Sequence, residues 1–279
     1  MKKPLFGILV GLLFLSVPVG VGWTAEPIQV SVSILPQAYF VERLAGNQAT
    51  VQVMIPKGSS PETYEPTPQQ LVRLADSQLY VKIGSPDFPV EQQYLRAALE
   101  RNPKLAVVDL SVGVDLLEED PHIWTSPAAV RIGVRNIART LEGLDPSHRE
   151  LYRRNLEAFL GEIDALDREI RHALEGRKGQ SFMIYHPSWG YFARAYGLTQ
   201  LAIEEEGKPL SASHIRKMVD LAKAKGIRAI VIQKGFDAKG ARAIARDIGG
   251  RLVEADPLER DWPSGLRQFT KTLTQILRP

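Results

Sequence analysis

Apolar positions along the chain recur with two periods, and their alternation sets the expected architecture. Residues 28–34 (IQVSVSI) alternate apolar and polar side chains, the period of a strand; Pro36 then begins a helix that runs through Leu44 to a stop at Gly46. Further strand-like runs at 50–55, 79–83 and 106–108 are separated by helical stretches at 68–75, opened by Pro68 just inside Thr67, and at 89–100. From Ser181 the alternation returns, with strand-like runs at 182–185, 198–203, 228–233 and 251–254. Helices are expected between them at 188–196, 213–225 and 238–248, and a closing helix ends at Leu277. In the second of these, Ile215, Met218, Val219 and Ala222 form an i, i+3, i+4, i+7 stripe. Parallel strands need a crossover connection, so this order predicts parallel sheets with helices packed on their faces.

The middle of the chain breaks the alternation. Ser126 and Pro127 open a helix that closes at Gly143, and Asp145 with Pro146 opens another that continues to Gly176, interrupted only by Gly161. Leu151, Leu156, Phe159, Ile163, Leu166 and Ile170 give it one apolar face. At 1.5 Å per residue such a helix would run about 45 Å, long enough to back two lobes at once. The expected fold is therefore α/β: an N-terminal lobe at 26–143, a linking backbone helix at 144–178 and a C-terminal lobe at 179–279, with a ligand site in the cleft between the lobes. No repetition of sequence between the lobes is visible.

The segment before the first strand has a different character. Lys2 and Lys3 precede an apolar run from Leu5 to Val21, and no charge follows before Glu26. That is the pattern of a secretory signal peptide, here 1–25, with cleavage after Ala25 or after Gly22; an uncleaved N-terminal anchor is the alternative. Pro18, Gly20 and Gly22 weaken a membrane-spanning helix there. The formal net charge of the chain is +3, and removing this segment takes away two of the 35 basic residues and none of the 32 acidic ones. A nearly neutral mature protein gives nucleic-acid binding no electrostatic support. The chain has no cysteine, which excludes thiolate nucleophiles and thiolate metal sites and leaves no lipid-acceptor residue of a bacterial lipoprotein. A periplasmic location is expected.

Known catalytic and nucleotide signatures are missing: there is no GxxxxGK[ST], no GxSxG and no HExxH, and GxGxxG is absent outside the N-terminal segment. The unusual polar residues cluster instead in loops at the ends of expected strands: KGSSPETYEP, EDPHIWTSP, YHPSWGYF and EADP. His122 and His186 each precede an expected helix, beside a proline and near a tryptophan. A neutral imidazole held this way is a ligand for Zn, Mn or Fe(II), although either histidine alone is more often a capping or packing residue. His148, His172 and His214 fall on expected helices among charged neighbours, where a solvated face accounts for them. Glu62 and Asp256 are by themselves ordinary turn or cap residues, Asp256 before Pro257 being a common turn signal, but with the histidines they would make a set of two imidazoles and two carboxylates, one from each loop. They lie too far apart in sequence for a zinc finger or an EF-hand, and suit a site assembled between lobes.

At these loops the chain resembles the TroA-like solute-binding proteins of zinc and manganese ABC transporters, over essentially the whole length after residue 25. The resemblance rests on GSSPETYEPTPQQ (58–70), DPHIWTSP (120–127), HPSWGYFARAYGL (186–198), EEEGKPLSASHI (204–215) and ADPL (255–258). It implies two α/β lobes joined by a long helix, one metal ion held between them, delivery of that ion to a membrane permease, and no catalysis. The family's second, third and fourth ligands fall on His122, His186 and Asp256. At the first the family has Pro-His-x-Tyr/Phe-Glu-Pro, and this chain has Glu62 in place of the histidine, so either Glu62 or water completes the site, or high-affinity binding is lost. The His-rich loop of many zinc receptors has no counterpart at 84–91 or 111–120.

These observations lead to an expected receptor that captures zinc, with Mn2+ or Fe2+ as alternatives, and passes it as a monomer to an ABC permease. Because the imidazoles must be neutral to bind metal, affinity is expected to fall as pH drops through the histidine range near about 6.5. Two other functions fit parts of the pattern. A hydrolase would use Ser188 or a metal-bound water with His186, and a receptor for a larger metal chelate would need an open cleft, whereas a site narrowed around Trp124 and Trp189 argues against one. The sequence does not address an adhesion role.

Overall fold

The computed structural model describes residues 26–86, 88–204, 211–233 and 239–278. The expected signal segment 1–25, residues 205–210 of the acidic loop and Ala238 at the start of an expected helix lie outside the described residues. Among the described residues no helix is long and apolar enough to cross a membrane.

The first half folds as a four-stranded sheet of β1 (Ile28–Val32), β2 (Ala49–Val53), β3 (Leu79–Lys82) and β4 (Ala106–Asp109), in the order β2-β1-β3-β4. Every pairing is parallel, with Val30 opposite Val51 and Leu79. The second half repeats the arrangement with β5 (Ser181–Ile184), β6 (Thr199–Ala202), β7 (Ala229–Ile232) and β8 (Arg251–Glu254), ordered β6-β5-β7-β8 and again all parallel. The two lobes thus share a topology that their sequences do not display.

The crossover helices form where local chemistry starts them. In α2 (Pro68–Ala75), Pro68 occupies the first turn and Thr67 caps it, accepting from the Gln70 amide, while Gln70 Oε1 accepts from the Thr67 amide at 2.9 Å in a reciprocal capping box. In α4 (Pro127–Leu144) Ser126 is the cap, and in α7 (Ala212–Ala224) it is Ser211. α1 (Leu35–Ala45), α3 (Pro89–Arg101), α6 (Gly190–Tyr196), α8 (Lys239–Asp247) and α9 (Trp262–Ile276) complete the set. The first strand ends at Val32, not residue 34, because Ser33 and Ile34 turn into α1, where Gln37 Oε1 accepts from both of their amides at 2.8 and 3.0 Å. α6 begins two residues later than the pattern suggests, since 186–189 form a turn of their own.

The backbone helix α5 (Arg149–Ala173) is 25 residues long, about 37 Å. It is shorter than the expected 144–178 at both ends, because Pro146–His148 forms a separate 3-10 turn before it and 174–176 a turn after it. It buries Tyr152, Phe159, Leu160, Ile163, Leu166 and Ile170 against α1, α4 and α9, while Leu151 and Leu156 lie at the margin of that face. One apolar core runs continuously from the first sheet across α5 and α9 to the near face of the second, and a smaller one under α7 and α8 covers the far face.

The lobes are also joined directly. Trp124, from the first, donates its indole N–H to the Pro257 carbonyl at 2.8 Å, and Trp262 of α9 donates to the Trp124 carbonyl at 2.7 Å. The Leu117 amide donates to the Tyr191 hydroxyl at 2.8 Å, and Arg194 pairs with Asp115 and Arg260 with Glu42. In both lobes the loops that leave the carboxyl ends of the strands gather at this junction, where parallel α/β sheets place their ligand sites.

Candidate metal centre

Glu62 follows β2 in a loop with little freedom. The Tyr64 amide donates to the Ser60 carbonyl at 2.9 Å, the Tyr64 hydroxyl reaches Gln70 Oε1 at 2.8 Å, and Gln70 Nε2 donates to the Met54 carbonyl at 2.8 Å. The Ser60 hydroxyl donates to Glu62 Oε2. The capping box that starts α2 therefore also fixes the loop that carries the carboxylate.

His122 ends the connection from β4. Asp120 Oδ1 accepts from the His122 amide at 2.9 Å and bonds its Nδ1 at 2.8 Å, and the Thr125 hydroxyl donates to the His122 carbonyl at 2.9 Å. The ring lies 5.0 Å from that of Trp124 and its side chain is only 7% exposed. His186 leaves the end of β5, where the Tyr185 amide still bonds the Val231 carbonyl at 2.9 Å and the Ser188 amide closes a turn on the His186 carbonyl at 2.8 Å. The Ser188 hydroxyl also donates to that carbonyl, at 3.4 Å, so the candidate nucleophile is directed at backbone and not at the imidazole.

These three side chains converge. Glu62, His122 and His186 each present a ligand atom within 4.8 Å of the other two. His186 Nε2 is 3.4 Å from His122 Nε2 and 3.2 Å from Glu62 Oε1. A tetrahedral zinc with bonds of about 2.0–2.1 Å has ligand atoms about 3.3–3.4 Å apart, so the His122–His186 spacing equals such an edge and the His186–Glu62 spacing is close to one. Each histidine also has a carboxylate behind it: Asp120 at His122 Nδ1, and Glu204 at His186 Nδ1, 2.9 Å away.

The electrostatics are those of a cation site. Burial disfavours the Glu62 carboxylate, but hydrogen bonds from His186 and Ser60 and the His186 charge outweigh it and lower the pKa to about 2. Burial likewise disfavours the His186 imidazolium, and is overcome by the hydrogen bonds and charges of Glu204 and Glu62, which raise it to about 9. Without metal a proton on His186 thus supplies the positive charge between the carboxylates. This moves the titration of the His186 imidazole well above the range near 6.5 that imidazole alone suggests.

Asp256, the fourth expected ligand, stands outside the group of three. Its Oδ1 accepts from the Leu258 amide at 2.9 Å, and it lines a small interlobe cavity with Ile34, Gly58, Gln233 and Leu258. The loop that carries Glu62 passes the same cavity at 56–59. Glu204 was not singled out as a site residue by the sequence; its signal is its place immediately after β6, the neighbour of β5. Trp124 and Trp189 are both buried and line a small cavity with Asp256, Pro257 and Trp262. The other histidines lie elsewhere: His148 pairs with Asp145, His172 with Glu175, and His214 Nε2 lies 2.8 Å from the Ile203 carbonyl.

The chain is similar to known proteins over most of its length. The model of the family described as ZnuA, zinc-uptake complex component A periplasmic, matches residues 30–278. The high-affinity zinc uptake system protein ZnuA of Bacillus subtilis is 24% identical over 262 residues, covering 84% of this chain and 79% of that protein. A putative metal-binding protein of Chlamydia muridarum is 26% identical over 249 residues, 85% of this chain and 87% of its own. Among solved structures, a crystal structure of ZnuA is 37% identical with a TM-score of 0.85, covering 90% of this chain and 99% of that one. A ZnuA deletion mutant with zinc bound is 36% identical, with the same TM-score, over 91% and 99%.

Proposed function

Since the chain belongs to the ZnuA family of zinc-uptake solute-binding proteins, we propose that Glu62, His122 and His186 are its metal ligands, with Asp256 or water at the remaining position. The chain is a receptor that captures zinc for an ABC transporter, in a family of binding proteins and not of enzymes. The observation that carries the ligand assignment is the match between the 3.2 and 3.4 Å spacings and the edges of a zinc tetrahedron.

The capture step follows from the donor set. Zinc takes the place of the His186 proton, the two imidazoles bind through Nε2, and Glu62 neutralises part of the cation charge. The lobe junction is closed by the indole of Trp124 on Pro257, which opposes a larger chelate. The bonds of Ser188 to backbone oppose a hydrolase. The loaded form is read by the permease as a monomer, in the periplasm, after removal of 1–25; the lobes are assigned to 26–143 and 179–279 with the link at 144–178.

Replacing one histidine ligand of the family with Glu62 gives a harder site, one that accepts Mn2+ and Fe2+ better than a three-histidine site would. Chelator competition with Zn2+ and Mn2+ tests both points. The double variant His122→Ala with His186→Ala is expected to lose zinc affinity by at least 100-fold, and Glu62→His to shift the zinc-to-manganese preference further toward zinc. Parental zinc binding in the double variant would reject the assignment.

A further inference from the structure

We propose that Glu204 is a positioning residue for metal capture: its carboxylate holds His186 by Nδ1, so that Nε2 is presented to His122 and Glu62. The proposal rests on the reading of Glu62, His122 and His186 as the metal site, and adds a residue that touches no metal.

The geometry begins in the sheet. β5 and β6 pair in parallel with Ile184 opposite Ala202, and the ladder continues past the strands: the Ile203 amide donates to the Ile184 carbonyl at 2.8 Å and the Glu204 amide to the Tyr185 carbonyl at 2.9 Å. His186 and Glu204 are therefore the residues at which the two chains leave the sheet, side by side. Their side chains, 23% and 24% exposed, meet at 2.9 Å between Nδ1 and Oε2. The other side of the Glu204 attachment is fixed by His214 of α7, whose Nε2 bonds the Ile203 carbonyl at 2.8 Å.

An imidazole has two orientations related by a half-turn about its bond to Cβ, and only one places Nε2 in the site while Nδ1–H has an acceptor behind it. The Nδ1–H bond to Glu204 selects that orientation and the tautomer whose free nitrogen is Nε2. His122 is served differently, since Asp120 is two residues away and bonds both its ring and its amide. The orientation of His122 is thus set within one loop, whereas that of His186 depends on a carboxylate delivered by the neighbouring strand. Removing such an outer carboxylate typically costs 10- to 100-fold in metal affinity.

The test uses the full mature chain, with Zn2+ as the probe, and compares E204A, E204Q and H186A with the parent. Glutamine keeps an acceptor oxygen at the same position and is nearly isosteric, so it also controls for folding. Zinc competition is expected to show E204A weakened by about 10- to 100-fold and E204Q recovering most of the loss. Nitrogen-15 spectra of the imidazoles in the zinc-loaded protein are expected to show His186 protonated at Nδ1 in the parent and in E204Q, and heterogeneous in E204A. Zinc affinity in E204A within twofold of the parent, or an equal loss in both variants with a parental His186 spectrum, overturns the positioning role. Parental affinity in H186A overturns the underlying metal site instead, so the two failures are distinct.

Discussion

At His186 three acidic or basic groups face two ring nitrogens, and the competition sets how the site responds to pH. Its folded pKa of about 9 lies above the ordinary 6.5, so its contribution to the stability of the metal-free protein is fully present below about 6.5 and lost as pH rises through 9. Glu62, lowered to about 2, contributes stability above 4.5 that is lost as pH falls through 2. Between about pH 4.5 and 6.5 both contributions are complete. Zinc must displace the His186 proton, so apparent zinc affinity is expected to rise close to tenfold per pH unit from 7 toward 9, with about one proton released per ion. Calorimetry in buffers of different ionisation enthalpy measures that proton, and a pH-independent affinity across this range contradicts it. The three converging side chains were legible, because His122, His186 and Glu62 each stand beside proline in a loop after a strand. Glu204 was not, because EEEG reads as a charge run, and only the β5–β6 register shows which of its carboxylates meets an imidazole.

At the scale of elements, the alternation of strands and helices was legible because prolines and capping residues punctuate it, as Thr67, Pro68 and Gln70 do for α2. Side-chain networks that tie elements together were not. Glu91, in the first turn of α3, is 5% exposed and accepts from the Ile83 amide at 2.6 Å, the Gly84 amide at 2.9 Å and the Ser33 hydroxyl at 2.5 Å. It binds α3 to the carboxyl ends of β1 and β3, beneath the cleft. Burial raises its pKa to about 7, against the lowering effect of those hydrogen bonds and of Lys82. A folded value above the unfolded 4.5 means that this carboxyl stabilises the fold below 4.5 and loses that contribution as pH rises through 7. The difference is on the order of 3 kcal/mol. Glu91→Gln is expected to be less stable than the parent at pH 5, since glutamine cannot accept all three bonds. The gap is expected to narrow by pH 8. Urea unfolding at the two pH values measures it, and an unchanged gap contradicts a neutral Glu91. Asp256 belongs to this scale too: its sequence position matches a ligand, while the turn it caps at Leu258 decides where its carboxylate sits.

For the whole molecule, two sheets of identical strand order are set against one helix so that the carboxyl ends of both deliver residues to one cleft. The two-lobe plan was legible from periodicity, and the length of the central helix was overestimated because a 3-10 turn at Pro146–His148 precedes it and a turn at 174–176 ends it. The contacts that join the lobes were beyond the sequence, since Trp124 finds Pro257 and Trp262 only in the folded chain. These contacts hold Glu62 and His122 of one lobe beside His186 of the other, and loading is expected to need only small movements. Diffraction at the zinc absorption edge from crystals of the loaded protein tests this most directly. The predicted result is an anomalous peak about 2.0–2.2 Å from His122 Nε2, His186 Nε2 and a Glu62 carboxylate oxygen, with Trp124 still bonded to Pro257. Zinc bound elsewhere, with no peak between these three side chains, would contradict the account.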